Sequence, residues 1–326
     1  MTTTNTQTPT APSHSDDEAV LISKAQTILA ARGAASILEE LSRPVIGSFP
    51  PALLPYLSTA ALEAQGLSAP VFRPFHSFLQ SPTTFSTSCV SLDRLLRGGI
   101  PLGTASIVEL SGVAGAGKTQ ILLQLSLMAG APVEHGGAAT GAIVAFTEGA
   151  PPIARMHQIE AHLCDARGLP AGTLLRKVVV EQVRSVDQLL NWAQHRLPYL
   201  FRQTGATVVV VDSVAAVYRP EFDDALSRAE HLVALAAALK RAAAHVGGVC
   251  VCANQVSQGL AADGTLNRTV PALGAAWSNC VDTRVFLRRA WGGSGGRIAK
   301  VLHSSFLGTV DGGEEYQVTS KGVVGG

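Results

Sequence analysis

Apolar and polar positions follow different periods in different parts of the chain. Residues 1–14 are polar and carry no period, which predicts a disordered tail. Ser15-Asp16-Asp17-Glu18 has capping-box spacing, and Val20, Leu21, Ile28 and Leu29 then recur at helical intervals until Gly33. Shorter helices are expected over 34–42, before Pro44, and over 58–65, so that 15–68 reads as a small helical domain. Residues 69–88, with Pro70 and Pro74, read as a linker. Four of the ten phenylalanines fall there: Phe72, Phe75, Phe78 and Phe85. Such rings either pack on their own core or dock on a neighbouring subunit.

From residue 89 to 326 continuous apolar runs alternate with helical periods. Strands are expected at 105–110, 141–146, 174–180, 207–211 and 247–253. Helices are expected at 120–128, after Pro151-Pro152, at 185–203 and at 225–245. The β-branched run Thr207-Val208-Val209-Val210-Val211 suits a central parallel strand, buried on both faces. Residues 256–272 read as a loop, strands at 282–289 and 297–303 flank a glycine-rich hairpin, and a last strand lies near 315–319. This order predicts an α/β core, a mostly parallel sheet with helices on both faces.

Composition narrows the picture. Apolar residues make up 47% of 326, enough for a sizeable core. A formal net charge of +1 gives no global attraction to nucleic acid or anionic lipid, so any DNA contact must be local. Five cysteines without finger spacing read as reduced, mostly buried thiols, and Cys250 and Cys252 alternate so as to share one face of a strand. No apolar stretch of membrane length is free of charge, and the N-terminus lacks a signal-peptide core.

The chemistry gathers at strand ends. Gly112-Val113-Ala114-Gly115-Ala116-Gly117-Lys118-Thr119 lies between a strand and a helix, the phosphate-loop arrangement. Its glycines let backbone N–H groups converge on phosphate oxygens, and the following helix adds its dipole. Gly112, Gly115, Ala116, Gly117, Lys118, Thr119 and Gln120 are therefore the candidate nucleotide cradle. Lys118 is read as the one cation for the β- and γ-phosphates and Thr119 as a Mg²⁺ ligand. Asp212 follows four valines, where a carboxylate orients Mg²⁺. Glu148 closes the strand after the phosphate-loop helix and suits a general base for water. Gln255 follows the next strand, placed to sense a γ-phosphate. The planar guanidinium of Arg155 suits stacking on adenine.

These residues together resemble the RecA-type recombinase family on its eukaryotic branch, and there the recombinase paralogues more than the filament-forming enzyme. The likeness covers about residues 86–303 and rests on the segment Thr87 to Pro101 (TSCVSLDRLLRGGIP), then GKTQ, FTEG, VVVVDSVAAVYR, ANQV and PALGAAWSN. It implies a RecA-like P-loop ATPase core behind a small helical N-terminal domain, with ATP and Mg²⁺ as cofactors. It further implies Glu148 as the catalytic glutamate, with Lys118 and Gln255 beside it in catalysis, Arg155 as the adenine-stacking arginine, Asp212 and Thr119 as the Mg²⁺ pair, and Gln255 as the link between ATP and a second DNA loop at 256–272. A first DNA loop falls near 219–228, with Arg219 in the family's arginine position. The implied role is an ATP-binding accessory of homologous recombination and double-strand-break repair in the nucleus. Its implied partners are single-stranded or branched DNA, other paralogues and the main recombinase, in a hetero-oligomer with no membrane.

Some positions depart from that pattern. The 256–272 segment holds one basic residue, Arg268, against Asp263, a poor phosphate-binding surface. Ser305 and Gly308 stand where strand-exchange enzymes carry prolines, and Phe72-Arg73-Pro74-Phe75 replaces the usual Phe-x-x-Ala. A self-filament-forming recombinase and a non-recombination RecA-fold ATPase remain as alternatives.

Overall fold

The structure is a computed structural model. It describes residues 14–33, single positions at 37, 53, 57, 60 and 61, and residues 83–218, 224–260, 266–290, 295–307 and 312–325. The chain divides into two compact units, Met1–Ser81 and Pro82–Gly326.

The first unit contributes helix α1, His14–Arg32. Ala25, Ile37, Leu53, Leu57 and Ala61 are buried together, with Leu21, Ile28 and Leu29 packed against them. Val20 belongs to the helical period but is half exposed, so its side chain lies off that apolar face. Most of the helices expected at 34–42 and 58–65 lies outside the described residues, as do Phe72, Phe75 and Phe78.

Among the described residues the second unit has twelve strands: β1 Thr84–Phe85, β2 Ile100–Pro101, β3 Ile107–Gly112, β4 Ala142–Phe146, β5 Val178–Gln182, β6 Val208–Asp212, β7 Val249–Leu260, β8 Leu266–Pro271, β9 Thr283–Arg289, β10 Arg297–Ser304, β11 Glu314–Thr319 and β12 Gly322–Val324. Its helices are α2 Val90–Leu95, α3 Lys118–Met128, α4 Ile153–Asp165, α5 Val186–Asn191, α6 Leu197–Thr204, α7 Val214–Tyr218, α8 Ala225–His245 and α9 Gly274–Ser278. A π-turn, Trp192–Arg196, joins α5 to α6.

The central sheet runs β12-β11-β10-β9-β3-β7-β6-β4-β5. Strands β9 through β5 pair in parallel, and β10 to β12 complete one edge antiparallel. Strand alternation splits the core in two. Val208 and Val210 face one cluster with Leu122, Leu125 and Ile159 of α3 and α4. Val209 and Val211 face the other with Leu235 and Leu239 of α8, and Cys250 and Cys252 point the same way. Each fully buried valine adds ~1.5–3 kcal/mol over an exposed one. The described cysteines are all free thiols, four of them buried.

Three expectations are corrected. The linker does not reach residue 88. Phe85 is 1% exposed, its strand pairs with β2, and Gly99 lies so close to the Phe85 carbonyl that a Cβ there would come within 2.1 Å. Asp93 accepts from Thr87 N at 2.7 Å and from the Ser86 hydroxyl, which folds the Thr87–Gly99 motif into a cap on the core. The segment 256–272 is not a plain loop. β7 runs on to Leu260, and β8 pairs back on it from Val256↔Pro271 to Leu260↔Leu266. Runs of polar residues, Ser257-Gln258 and Asn267-Arg268-Thr269, break the strand period and hid this ladder, whose hydrogen bonds are between backbone groups. Residues 225–228 of the expected first loop form the first turn of α8, capped by Asp224, which accepts from Leu226 N and Ser227 N. Arg219 lies outside the described residues. No helix among the described residues is long and apolar enough to cross a membrane.

Candidate nucleotide-binding site

The phosphate loop leaves β3 and enters α3 with Gly115 at φ +73 and Gly117 at φ +101. Both are left-handed conformations that glycine adopts without strain. Gly117 caps α3 without a side chain, so the first-turn N–H groups face outward with the dipole. Lys118 Nζ donates to the carbonyls of Gly112 at 2.7 Å and Val113 at 3.0 Å, which folds the lysine back over its own loop. Ala116 is buried, and its carbonyl accepts from the Tyr316 hydroxyl at 2.6 Å.

Two adjoining clefts open at the carboxyl ends of the parallel strands, where ligands of such sheets bind. One, of about 530 Å³, is lined by Gly115, Gly117, Lys118, Thr119, Gln120, Arg155, Arg297, Val318, Thr319 and Ser320. The other, of about 250 Å³, is lined by Thr119, Phe146, Glu148, Ala150, Pro152 and Asp212. Thr119 belongs to both.

Arg155, on α4, is fixed in place. Its Nε donates to Gln120 Oε1 at 2.7 Å, one terminal nitrogen to the Ser320 carbonyl at 2.8 Å and to Gln158, and the other to the Thr319 carbonyl at 2.6 Å. Burial lowers its pKa from the ordinary value, a small effect on a group that stays cationic.

In the smaller cleft Asp212 ends β6, and Glu148 follows the end of the neighbouring β4 by two residues. Thr147 ties the two ends: its N–H donates to the Asp212 carbonyl at 2.9 Å, and its hydroxyl donates to the Ser213 carbonyl at 2.6 Å and accepts from Ser213 N at 2.8 Å. The Asp212–Ser213 peptide is cis. Burial is the main influence on Asp212 and raises its carboxyl pKa. A hydrogen bond from Thr119 and the charge of Lys118 pull it down, and the charge of Glu148 pushes it up. A desolvated carboxylate facing a threonine hydroxyl and a second carboxylate is a hard-oxygen donor set, which fits a Mg²⁺ ion.

Most sequence-chosen residues thus meet in one place. Gly112, Ala116 and Gln255 line neither cleft. Gln255 stands opposite Gly112 in the β3–β7 ladder, at the root of the β7–β8 hairpin. Arg155 and Arg297 line the same cleft as Lys118. Arg297, Val318, Thr319 and Ser320 escaped the sequence reading. They come from the far end of the chain, and no local pattern marks a strand turn that closes over a loop two hundred residues upstream.

Strand, phosphate loop, helix and a cleft at the carboxyl ends of a mostly parallel sheet define a RecA-like P-loop core. The Rad51 family model matches residues 80–325, and the chain belongs to that family. It is 36% identical over 223 residues to the DNA repair protein XRCC3 of Bos taurus, covering 65% of each chain, and so spans less than two thirds of that relative. It is 34% identical over 253 residues to XRCC3 of Mus musculus, with 72% of each chain covered. It is also 27% identical over 264 residues to the DNA repair protein rhp57 of Schizosaccharomyces pombe, covering 67% of this chain and 73% of the other.

Proposed function

We propose that the chain is an ATP-binding accessory factor of homologous recombination and double-strand-break repair, with weak, DNA-dependent ATP hydrolysis. The observation that carries this is the meeting of the two clefts at Thr119, with the phosphate loop and Arg155 on one side and Asp212 and Glu148 on the other. The loop amides and Lys118 bind the phosphates, and Arg155 offers its face to adenine. Thr119 and Asp212 hold Mg²⁺, which when bound neutralises phosphate charge. Glu148 orients the attacking water and takes its proton. Gln255, between Gly112 and the hairpin, reports nucleotide state to DNA. The names of the relatives, DNA repair proteins, support the repair role, and nuclear action follows from it.

Its partners in this reading are single-stranded or branched DNA, other recombinase paralogues and the main recombinase. The departures at Ser305, Gly308 and 72–75 favour a hetero-oligomer over a self-filament.

The test is Glu148→Gln. It keeps the shape of the side chain but cannot accept a proton. ATP binding should match wild type while DNA-stimulated phosphate release falls by ~100-fold or more. Unchanged release refutes the role of Glu148. Long self-filaments of purified wild type on single-stranded DNA, seen by electron microscopy, refute the accessory role.

A further inference from the structure

Three side chains from three adjacent strands grip the phosphate loop from outside. Arg289, Arg297 and Tyr316 are direct cross-strand partners on β9, β10 and β11, so they share one face of the sheet. Tyr316 donates to the Ala116 carbonyl at 2.6 Å. Arg297 Nε reaches the Gly115 carbonyl at 3.4 Å, and its Nη1 donates to the Gly295 carbonyl at 2.8 Å. A terminal nitrogen of Arg289 lies 2.3 Å from where a Cβ on Gly115 would stand. Besides φ, that contact is a second reason for glycine at 115.

These contacts do not all serve one purpose. Tyr316 already braces the loop with a short neutral bond. To the loop Arg297 adds only a long bond to a neutral carbonyl, and its shorter bond goes to Gly295 outside the loop, a weak use of a charged fork as a brace. Its Nη2 is engaged by no described residue, and Arg297, unlike Arg289, lines the cleft with Lys118 and Thr119. A guanidinium there matches the paired oxygens of a phosphate, and the alkyl stem close to Gly117 keeps it at the loop.

We propose that Arg297 is a second phosphate-binding cation of this site, acting on the polyphosphate end of the nucleotide across the loop from Lys118. This rests on the nucleotide reading given above. The guanidinium exchanges its long bond to Gly115 for phosphate oxygens, so its contribution grows with the number of phosphates.

The experiment measures ATP, ADP and AMP affinities of wild type, Arg297→Ala and Arg297→Lys with Mg²⁺ present, alongside melting of the unliganded proteins. Arg297→Ala should weaken ATP by about tenfold or more, weaken ADP less and leave AMP unchanged. Arg297→Lys should recover part of the ATP loss, because charge remains without the fork. An equal loss for all three nucleotides makes Arg297 a brace of the loop and overturns the proposal, as does an unchanged ATP affinity in Arg297→Ala. Should Arg297→Ala melt early, the ratio of ATP to AMP affinity in Arg297→Lys decides, and a wild-type ratio overturns the proposal. Wild type that binds none of the three refutes the nucleotide reading itself, a result distinct from any difference among variants.

Discussion

At the scale of single residues, Asp212 carries opposed demands. Burial raises its pKa above the ordinary 3.8, so between the unfolded and folded values the folded chain keeps a proton that the unfolded chain has lost. Ionised Asp212 therefore costs stability. The penalty is absent below the unfolded value and complete above the folded one. Asp212→Asn should raise the melting temperature of the nucleotide-free protein at neutral pH. The gain should fade as the pH is lowered towards 3.8. The same variant should lose Mg²⁺-dependent ATP binding. A variant that melts below wild type at neutral pH contradicts the desolvation argument. Asp212 was legible because four valines must end somewhere, and a charge that ends such a run stands at the carboxyl edge of the sheet, where ligands bind. Arg297 was not, because an arginine beside a glycine-rich hairpin looks like any surface arginine until β10 pairs with β9 and β11.

Between elements, one buried carboxylate on β3 joins three others. Glu109 accepts from Asn254 of β7 at 2.7 Å, from Trp277 of α9 at 2.8 Å and from Arg284 of β9, with Arg284 also donating to Ser278 at 3.1 Å. Glu109 is fully buried and Arg284 nearly so. Glu109→Ala strands a cation and two donors in the interior and should cost ~3–5 kcal/mol. In a domain of this size each kcal/mol lowers the melting temperature by ~2–4 °C. Glu109→Leu with Arg284→Met should cost clearly less, because no charge is left alone. Equal losses would mean that packing, not the pair, matters. Helices and most parallel strands were readable from their patterns, but β5 starts at Val178 and not at 174, because Leu175–Lys177 form a helical turn. The hairpin β11–β12 was half readable, since its anchors, Gln124 to Val323 and Arg155 to Thr319, join parts far apart in sequence.

For the whole molecule, the question is what the first unit and residues 69–81 do. Phe85 is claimed by the second unit's core, which removes it from any docking role. We propose that Phe72 and Phe75 anchor a related ATPase subunit. Phe72→Ala with Phe75→Ala should abolish co-purification of that partner, since buried aromatic anchors are each worth ~2 kcal/mol or more. Melting and ATP affinity of the isolated chain should barely change. Unfolding or aggregation of the isolated double variant would assign the rings to its own core. The two-unit division was partly legible, because proline and phenylalanine density marks the junction. Its far edge was missed, because a two-residue strand such as Thr84–Phe85 is defined by its partner β2 and not by its own pattern.

Strand β7 is a single covalent segment in two surroundings. Cys250 to Cys252 are hydrogen-bonded into the sheet on both sides, by β3 and β6, whereas from Val256 onward β8 is the partner. Deuterium should therefore enter β7 in two waves. The inner amides exchange only when the whole sheet opens, and the outer ones when a two-stranded ribbon frays, at a small fraction of that free energy. The boundary falls at Gln255, beside the first glycine of the phosphate loop. Slower exchange beyond that boundary on adding ATP, with the inner amides unchanged, would register the nucleotide as tension on the outer ribbon.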